Sequence, residues 1–151
     1  MSLKEWLNNG WLADHKTSPQ EITNFFKAVD RDLADAKATG LSPDWKLNIA
    51  YSAALHLANA ALAAEGYRAA RDSHHYRVIQ SLTFTIRAEP AFVAQLDRFR
   101  KKRNIGTYEI AGAASEMEAE EMIMLAGDLR KQVEKWLREN HPGYSPLNYE
   151  N

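Results

Sequence analysis

The sequence predicts an all-α protein, an antiparallel bundle of about five helices joined by short connections. Helix-start signals, in which a serine precedes a proline or a glutamate, recur along the chain, and apolar residues follow each of them at helical spacing. No segment alternates apolar and polar residues between hairpin turns. With 151 residues, 45% of them hydrophobic, the chain can bury one sizeable core, so we expect a single domain over residues 1–140 and a polar tail over 141–151.

Each helix has an N-cap serine or a proline at its start, and several have a glycine at their end. The approximate helical segments are 3–11, interrupted at Gly10, and then 18–40, 42–64, 74–86, 90–105 and 115–136. The third segment is rich in alanine and apolar on most of its circumference, which is typical of a central, close-packed helix. In the last segment we expect Met117, Met122 and Met124 to fill gaps in the core.

Composition excludes several classes of protein and site. The chain has no cysteine, which excludes disulfides, thiol catalysis and cysteine-ligated zinc. Nineteen basic and twenty acidic residues give a net charge of −1, so any nucleic-acid or membrane site must be local. The first eleven residues carry charges where a signal peptide is apolar, and no apolar run approaches the length that spans a membrane. We therefore expect a cytoplasmic protein with no membrane partner.

Neither a metal site nor a cofactor site is expected. His74 and His75 are adjacent and would point about 100° apart on a helix, whereas metal-ligand pairs prefer a spacing of three or four residues. Glycine-rich phosphate loops, nucleophile elbows and paired catalytic carboxylates are also missing from the sequence. The sequence therefore predicts a protein without metal or cofactor.

The most informative segment is the basic run that ends the fifth helical segment. Its cations are Arg98, Arg100, Lys101, Lys102 and Arg103, and Asn104 follows them. A solvated basic face is the simplest explanation for Arg98, Lys101 and Lys102. Gly106 breaks the helix directly afterwards, which places Arg103 and Asn104 at a helix end where polar groups are accessible to ligands.

Arg103 differs from its basic neighbours because of its position around the helix. At 100° per residue it falls in the arc of Leu96 and Phe99, which this helix should bury, whereas Lys101 projects to the opposite side. A buried guanidinium without a partner is costly, so Arg103 should meet either a structural carboxylate or a ligand cleft. We expect Arg103 to be at least half buried, near a carboxylate, an anion or a tyrosine hydroxyl, and Lys101 to be exposed.

A second pattern is a polar stripe on the otherwise apolar central helix. Spacings of four, four and three residues put its members on one face: Asn48, Ser52, His56 and Asn59. The simplest explanation is that the stripe is the solvated side of the helix. Alternatively it lines a groove or a subunit interface, and His56 is then its titratable member.

Three segments together resemble the HEPN superfamily of helical domains. They are Ala50–His56 with the alanine-rich run to Gly66, Ser73–Ile79, and Arg103–Tyr108 before the capped last helix. Their order and spacing carry the resemblance, which spans Pro43 to Trp136. It implies a bundle of about five helices that forms a two-fold homodimer, with the motif helices of both subunits facing a shared cleft.

The resemblance also implies a class of activity. Many members of the superfamily are metal-independent ribonucleases of toxin–antitoxin, phage-defence or RNA-processing systems, and others are non-catalytic partners of nucleotidyltransferases. In the catalytic members an arginine and a polar residue precede a histidine by a few positions. Arg103 and Asn104 match the first two, but Tyr108 stands where the histidine is expected. A phenol with an ordinary pKa near ~10 is a poor general base at neutral pH.

Two hypotheses follow. In the first, the chain is a homodimer associated with RNA or nucleotides, acting as a weak metal-independent ribonuclease in a toxin–antitoxin or defence setting. Arg103 would stabilise the scissile phosphate, Asn104 would orient it, and Tyr108 would donate a proton or hydrogen bond. The RNA-binding residues would be Arg98, Arg100, Lys101 and Lys102. Secondary cleft residues would be Ser52, His56 and Asn59, with His56 a candidate for the missing base.

In the second hypothesis the chain is a non-catalytic interaction module. Arg103 and Tyr108 would then hold the helix junction or bind a protein partner, such as a nucleotidyltransferase or an antitoxin. The two hypotheses differ in whether the chain acts on RNA or binds a protein partner without catalysis.

Overall fold

The structure is a computed structural model that describes residues 1–71, 74–105 and 110–146. Over these residues the chain forms six α-helices, which are α1 Leu3–Asn8, α2 Pro19–Ala36, α3 Pro43–Ala64, α4 His74–Gln80, α5 Pro90–Asn104 and α6 Glu116–Asn140. The predicted all-α helical bundle is confirmed.

The long helices begin where the sequence predicts, because serine side chains satisfy their first backbone N–H groups. Ser18 Oγ accepts a hydrogen bond from the backbone N–H of Glu21 at 3.1 Å, and Ser42 caps α3 in the same way at 3.2 Å. Ser115 and Glu118 form a reciprocal capping box at the start of α6. Each cap leaves the following apolar residues in register to face the core.

Helix α3 lies at the centre of the bundle, packed along α2 on one side and α6 on the other. The core around it contains fully buried side chains from four helices, including Phe26, Leu57, Phe99 and Leu129. Each such side chain contributes about 1.5–3 kcal/mol relative to an exposed one. The alanines of α3 let its neighbours approach closely, as expected for a central helix.

The apolar character of α3 has a second consequence. By length and composition alone, α3 is long and apolar enough to cross a membrane, so the expectation that no segment reaches that length is wrong. In the structure, 67% of its most apolar window is buried inside the bundle, as in the core helix of a folded domain. The polar stripe residues interrupt the apolar run in the sequence, but they are too few to bring the mean hydropathy of α3 below that of a membrane-spanning helix.

One element was not expected from the sequence, a two-stranded antiparallel ribbon. Strand β1, Leu12–Asp14, pairs with strand β2, Tyr67–Ala69, so that Leu12 lies opposite Ala69. The sequence predicts only a polar connection after Gly66, because three-residue strands are too short to show an alternating pattern. The ribbon ties the amino-terminal segment to the end of α3, and Leu12 packs there with Trp6.

Two further segments differ from expectation in detail. Helix α4 ends at Gln80 and continues as a single 3-10 turn, Ser81–Thr83, rather than as a helix to residue 86. After α6, another 3-10 turn, Pro142–Tyr144, folds back so that Tyr144 packs against the core.

The methionines of α6 do not all lie in the core. Met122 is fully buried, but Met117 and Met124 are 81% and 70% exposed, so the expectation for these two is wrong. Both lie on the far side of α6 from Met122. At about 100° per residue, Met117 is five residues from Met122 and about 140° around the helix, and Met124 is two residues from Met122 and about 160° around it. The core face of α6 continues instead through Leu129 and Val133.

Candidate functional site

The centre of the candidate site is Arg103, in the last turn of α5. Its side chain is partly buried, and its Nε donates a hydrogen bond to Oδ1 of Asn48 on α3 at 2.8 Å. Its Nη1 lies 3.4 Å from Oδ1 of Asn104. Two patterns that are separate in the sequence, the end of the basic run and the start of the polar stripe, therefore meet at one junction between α3 and α5.

The helical phase inferred for α5 is confirmed by burial. Leu96 and Phe99 are 1% and 0% exposed, and the side chain of Lys101 is 67% exposed. One partner of Arg103 is Asn48, which supplies an amide oxygen. The expectation of a carboxylate, an anion or a tyrosine hydroxyl near Arg103 stays a prediction. An amide oxygen orients a guanidinium without cancelling its charge.

Tyr51 of α3 completes the junction. Its ring centroid lies 5.5 Å from the guanidinium carbon of Arg103, within the range of a cation–π contact. Tyr51 is only 2% exposed, and its hydroxyl has no hydrogen-bond partner within the described part of the chain. Burial raises the pKa of this phenol, and the weaker effect of Arg103 and Arg100 does not reverse that. The hydroxyl therefore stays protonated at neutral pH, and it has no acceptor among the described residues.

Sequence reasoning missed Tyr51. An aromatic residue within an apolar helix is usually core, and its ring does pack there. A signal was present in the spacing, because Tyr51 lies three residues after Asn48 and so shares its face of α3. An unpartnered buried hydroxyl costs about 1–3 kcal/mol, which makes this one a candidate for a ligand contact.

The other cations of α5 are all close to carboxylates. Arg98 lies 3.3 Å from Glu121, Arg100 and Lys101 lie 2.7 Å and 3.6 Å from Asp97, and Lys102 lies 3.4 Å from Glu118. Pairs of this kind at a surface contribute about 0–1 kcal/mol, so a phosphate could compete for the cations. They nevertheless lower the positive charge of the predicted RNA-binding face.

The remaining members of the polar stripe, Ser52, His56 and Asn59, are partly buried but do not join the Arg103 junction as one site. His56 Nε2 lies 3.5 Å from Oδ2 of Asp32 on α2, and Asn59 lines a separate cavity. Burial lowers the pKa of His56, although the nearby carboxylate of Asp32 opposes that effect. His56 thus faces α2, whereas Asn48 faces α5.

Tyr108, the third position of the arginine motif, lies outside the described residues, and so does Gly106. The ring of His75 lies 5.9 Å from that of Tyr51. Across residues 1–71, 74–105 and 110–146, no three His, Asp or Glu side chains are grouped so that they could hold a metal ion.

Four exposed apolar side chains lie in the first turns of α3 and α6 and in the segment that leads out of α5, near the junction. Trp45 and Ile110 are 55% and 61% exposed, and Ile105 and Met117 are exposed as well. The backbone N–H of Ile110 donates to the carbonyl of Ile105 at 2.8 Å. We call these four residues the apolar rim.

The apolar rim is held together at its base by Asp44, in the first turn of α3. Its Oδ1 accepts a hydrogen bond from the backbone N–H of Ala114 at 2.9 Å, and its Oδ2 accepts one from that of Gly112 at 2.5 Å. These bonds bring the segment before α6 against the start of α3. The rim therefore lies where α3, α5 and α6 converge, next to Arg103.

Comparison with known proteins adds no relative to this description. No family model, no curated protein and no solved structure matches the chain. The arrangement of Arg103, Asn48 and Tyr51 must therefore be interpreted from its own chemistry.

Proposed function

We propose that this chain is an HEPN-like homodimer that binds RNA and cleaves it weakly without a metal ion. The observation that carries the proposal is the α3–α5 junction. Asn48 fixes the guanidinium of Arg103 near the ring of Tyr51, whose buried hydroxyl lacks a partner among the described residues. An oriented guanidinium and a phenolic donor are groups that recognise a phosphate oxygen.

The chemistry follows from these groups. In metal-independent RNA cleavage the 2′-hydroxyl gives its proton to water as it attacks the neighbouring phosphorus, the bond from phosphorus to the 5′-oxygen breaks, and negative charge grows on the phosphoryl oxygens. Arg103 would stabilise that charge and Asn104 would orient the phosphate. Tyr108 would supply a proton or a hydrogen bond to the leaving oxygen. We do not assign the base to His56, because His56 faces Asp32 of α2.

The test of the activity uses mixed RNA in the presence of a chelator. We expect slow cleavage by the wild-type protein, its loss in Arg103→Gln and its retention in Lys131→Gln, which removes the same charge from an exposed position of α6 outside the basic run. Equal effects of the two substitutions would show that only bulk charge matters. If no protein cleaves or binds RNA even at low salt, where phosphate contacts are strongest, the RNA proposal fails.

The residue at position 108 offers a second test of the same activity. We expect Tyr108→His to raise the cleavage rate, because imidazole exchanges a proton near pH 7, an effect typically of ~10²–10⁴-fold where the geometry is right. Tyr108→Phe keeps the ring and should lower the rate. An unchanged rate in both variants would remove Tyr108 from the mechanism.

The homodimer is part of the proposal. The surface that supports it is not the one that the sequence suggests. The apolar character of α3 no longer argues for an interface, because α3 is buried within one chain. The apolar rim argues for one instead, since a second copy placed there would cover it and bring two Arg103 junctions together. We expect an interface of at least ~1,000 Å².

Light scattering measures this directly. The wild-type protein should have the mass of a dimer, and Ile110→Lys, in the rim, should shift it to the monomer. Gln132→Lys is the control, because it adds a positive charge at an exposed position of α6 about four turns beyond Met117. A wild-type monomer would remove the shared cleft from the proposal.

The second candidate function is the interaction module. It is favoured by the carboxylates that face Arg98, Arg100, Lys101 and Lys102, since they weaken the case for RNA. In this case the apolar rim binds a protein partner, such as a nucleotidyltransferase or an antitoxin encoded beside it. Complex formation should then be lost in Ile110→Lys but not in Gln132→Lys, and RNA binding should be missing from both the free and the bound protein.

A further inference from the structure

A cavity of about 270 Å³ lies away from the Arg103 junction, where the β1–β2 ribbon meets α2 and α3. Four elements or their ends contribute to its lining, which consists of His15, Glu21, Phe25, Asn59, Ala63, Tyr67 and Arg68. Three polar side chains of this lining have hydrogen-bonding atoms that no described residue pairs with.

The first is the carboxylate of Glu21, in the first turn of α2. Both of its side-chain hydrogen bonds, from His15 Nε2 and from Thr17 Oγ1, reach Oε1 at 2.7 Å. Its Oε2 accepts none from the residues that the structure describes. Burial alone would raise the pKa of Glu21, but these hydrogen bonds outweigh it and the pKa is lowered. Glu21 is therefore ionised at neutral pH, and it lines the cavity.

The second and third are Asn59 and Arg68. Asn59 is partly buried on α3, and its side-chain amide makes no hydrogen bond within 1–71, 74–105 or 110–146. Arg68 is exposed on β2 and has no carboxylate partner over the same residues. The cavity thus has a negative group, a positive group and a neutral amide, each with unused hydrogen-bonding capacity.

Between these polar groups the cavity has an apolar surface. It comprises the ring of Phe25, which packs against the core, and the methyl group of the buried Ala63. The volume lies just below the roughly 300–1,000 Å³ of pockets for drug-sized ligands, so only a small molecule fits. A simple anion would be repelled by Glu21, and a simple cation by Arg68.

We propose that this cavity binds a free amino acid with an apolar side chain. The ammonium group pairs with Glu21 Oε2, the carboxylate pairs with Arg68, the side chain lies on Phe25 and Ala63, and Asn59 hydrogen-bonds to one of the polar ends. This ligand has both charges that the cavity complements, in a molecule of the right size. The site is independent of the α3–α5 junction, so its test stands or falls without the RNA proposal.

The experiment titrates the full chain with L-phenylalanine, 3-phenylpropionate and phenethylamine, following the resonances of the cavity residues by NMR. We expect saturable binding of phenylalanine with a Kd no weaker than ~1 mM, and at least about tenfold weaker binding of each analogue that lacks one charge. Arg68→Gln should remove the preference over phenethylamine. Glu21→Gln should remove the preference over phenylpropionate, because each variant deletes the group that recognises the missing charge.

Lys16→Gln is the control, since Lys16 is an exposed cation beside His15 that does not line the cavity. It should bind all three probes as the wild-type protein does. Absence of saturation by phenylalanine at ~10 mM, tenfold above the expected Kd, would overturn the proposal. Equal binding of the three probes would also overturn it, because the apolar surface alone would then explain the affinity.

Discussion

Two members of the polar stripe on α3 perform different tasks. At the start of the stripe, the neutral amide of Asn48 accepts a hydrogen bond from Arg103 of α5 at 2.8 Å. Two turns later on the same face, His56 lies 3.5 Å from the carboxylate of Asp32 on α2. Arg31 donates to the other oxygen of that carboxylate at 3.0 Å and 2.9 Å.

The difference shows how one helix face can orient a cation at one position and compensate charge at another. Asn48 fixes the direction of the Arg103 guanidinium through a neutral amide oxygen. Asp32 is 5% exposed and is neutralised by Arg31, beside an imidazole. We therefore expect substitutions at the Asn48 end to alter RNA binding, and substitutions at the His56 end to alter only stability.

The largest effect is expected for Asn48→Ala. This change removes a hydrogen bond to a charged group, so the free energy of unfolding should fall by about 1–2 kcal/mol. RNA affinity should fall as well, because Arg103 loses its orientation. Urea unfolding and RNA binding measure the two effects, and Ser52→Ala, one turn along the same face, is the control that should change neither appreciably. Loss of stability without loss of affinity would place Arg103 outside the binding site.

The next largest effect is expected for Tyr51→Phe, with opposite signs for stability and function. Removing a buried hydroxyl that has no described partner should raise the free energy of unfolding by up to about 1 kcal/mol. RNA affinity should fall, because a phosphate loses one donor. Thermal unfolding and a binding titration test both. If stability falls instead, the hydroxyl has a structural partner and is not held for a ligand.

A smaller effect, dependent on pH, is expected at the His56 position of the stripe. Burial lowers the pKa of His56 in the folded protein, so below about pH 6.5 the unfolded state binds a proton that the folded state does not. This contribution to stability is complete above pH 6.5 and is lost as the pH falls towards the folded pKa. Asp32 and Arg31 are the charged groups that face His56.

His56→Gln should therefore flatten the decline in unfolding free energy between about pH 7 and about pH 5. Urea unfolding across that range measures it, with the wild-type protein as reference because the other histidines titrate in both. An unchanged slope would mean that His56 is not the titrating group. RNA affinity at constant pH should be the same in both proteins.

The smallest effect is expected from the carboxylates opposite the basic run. Glu118→Gln with Glu121→Gln frees Lys102 and Arg98, so RNA affinity at low salt should rise by a factor of about 2–5. Glutamine at 118 can still cap the start of α6. Glu139→Gln, near the other end of the same helix, changes the charge without freeing these cations. A similar rise in that control would indicate long-range charge only.

Much of the fold could be predicted because its signals are local. The serine caps at 18, 42 and 115 determine where three helices begin, and a cap depends only on the next three residues. The burial of Arg103 and the exposure of Lys101 followed from the helical phase of α5 alone. A periodicity over one helix is thus enough to assign a residue to the core side.

The partners of those residues could not be predicted, because they come from other elements. Asn48 and Arg103 are 55 positions apart in the sequence, and only the packing of α3 beside α5 brings them together. The exposure of Met117 was missed for a related reason. Methionine is apolar enough to suggest core, and its place on the outer face depends on which side of α6 meets α3.

The most direct test of the central claim, that Asn48 acts on RNA through Arg103, is a double-mutant cycle in RNA affinity. Wild type, Asn48→Ala, Arg103→Gln and the double variant are titrated with the same RNA at low salt, after unfolding curves confirm that each is folded. We predict that the double variant binds no more weakly than Arg103→Gln alone, since Asn48 has nothing left to orient. Additive losses from the two substitutions would contradict the account.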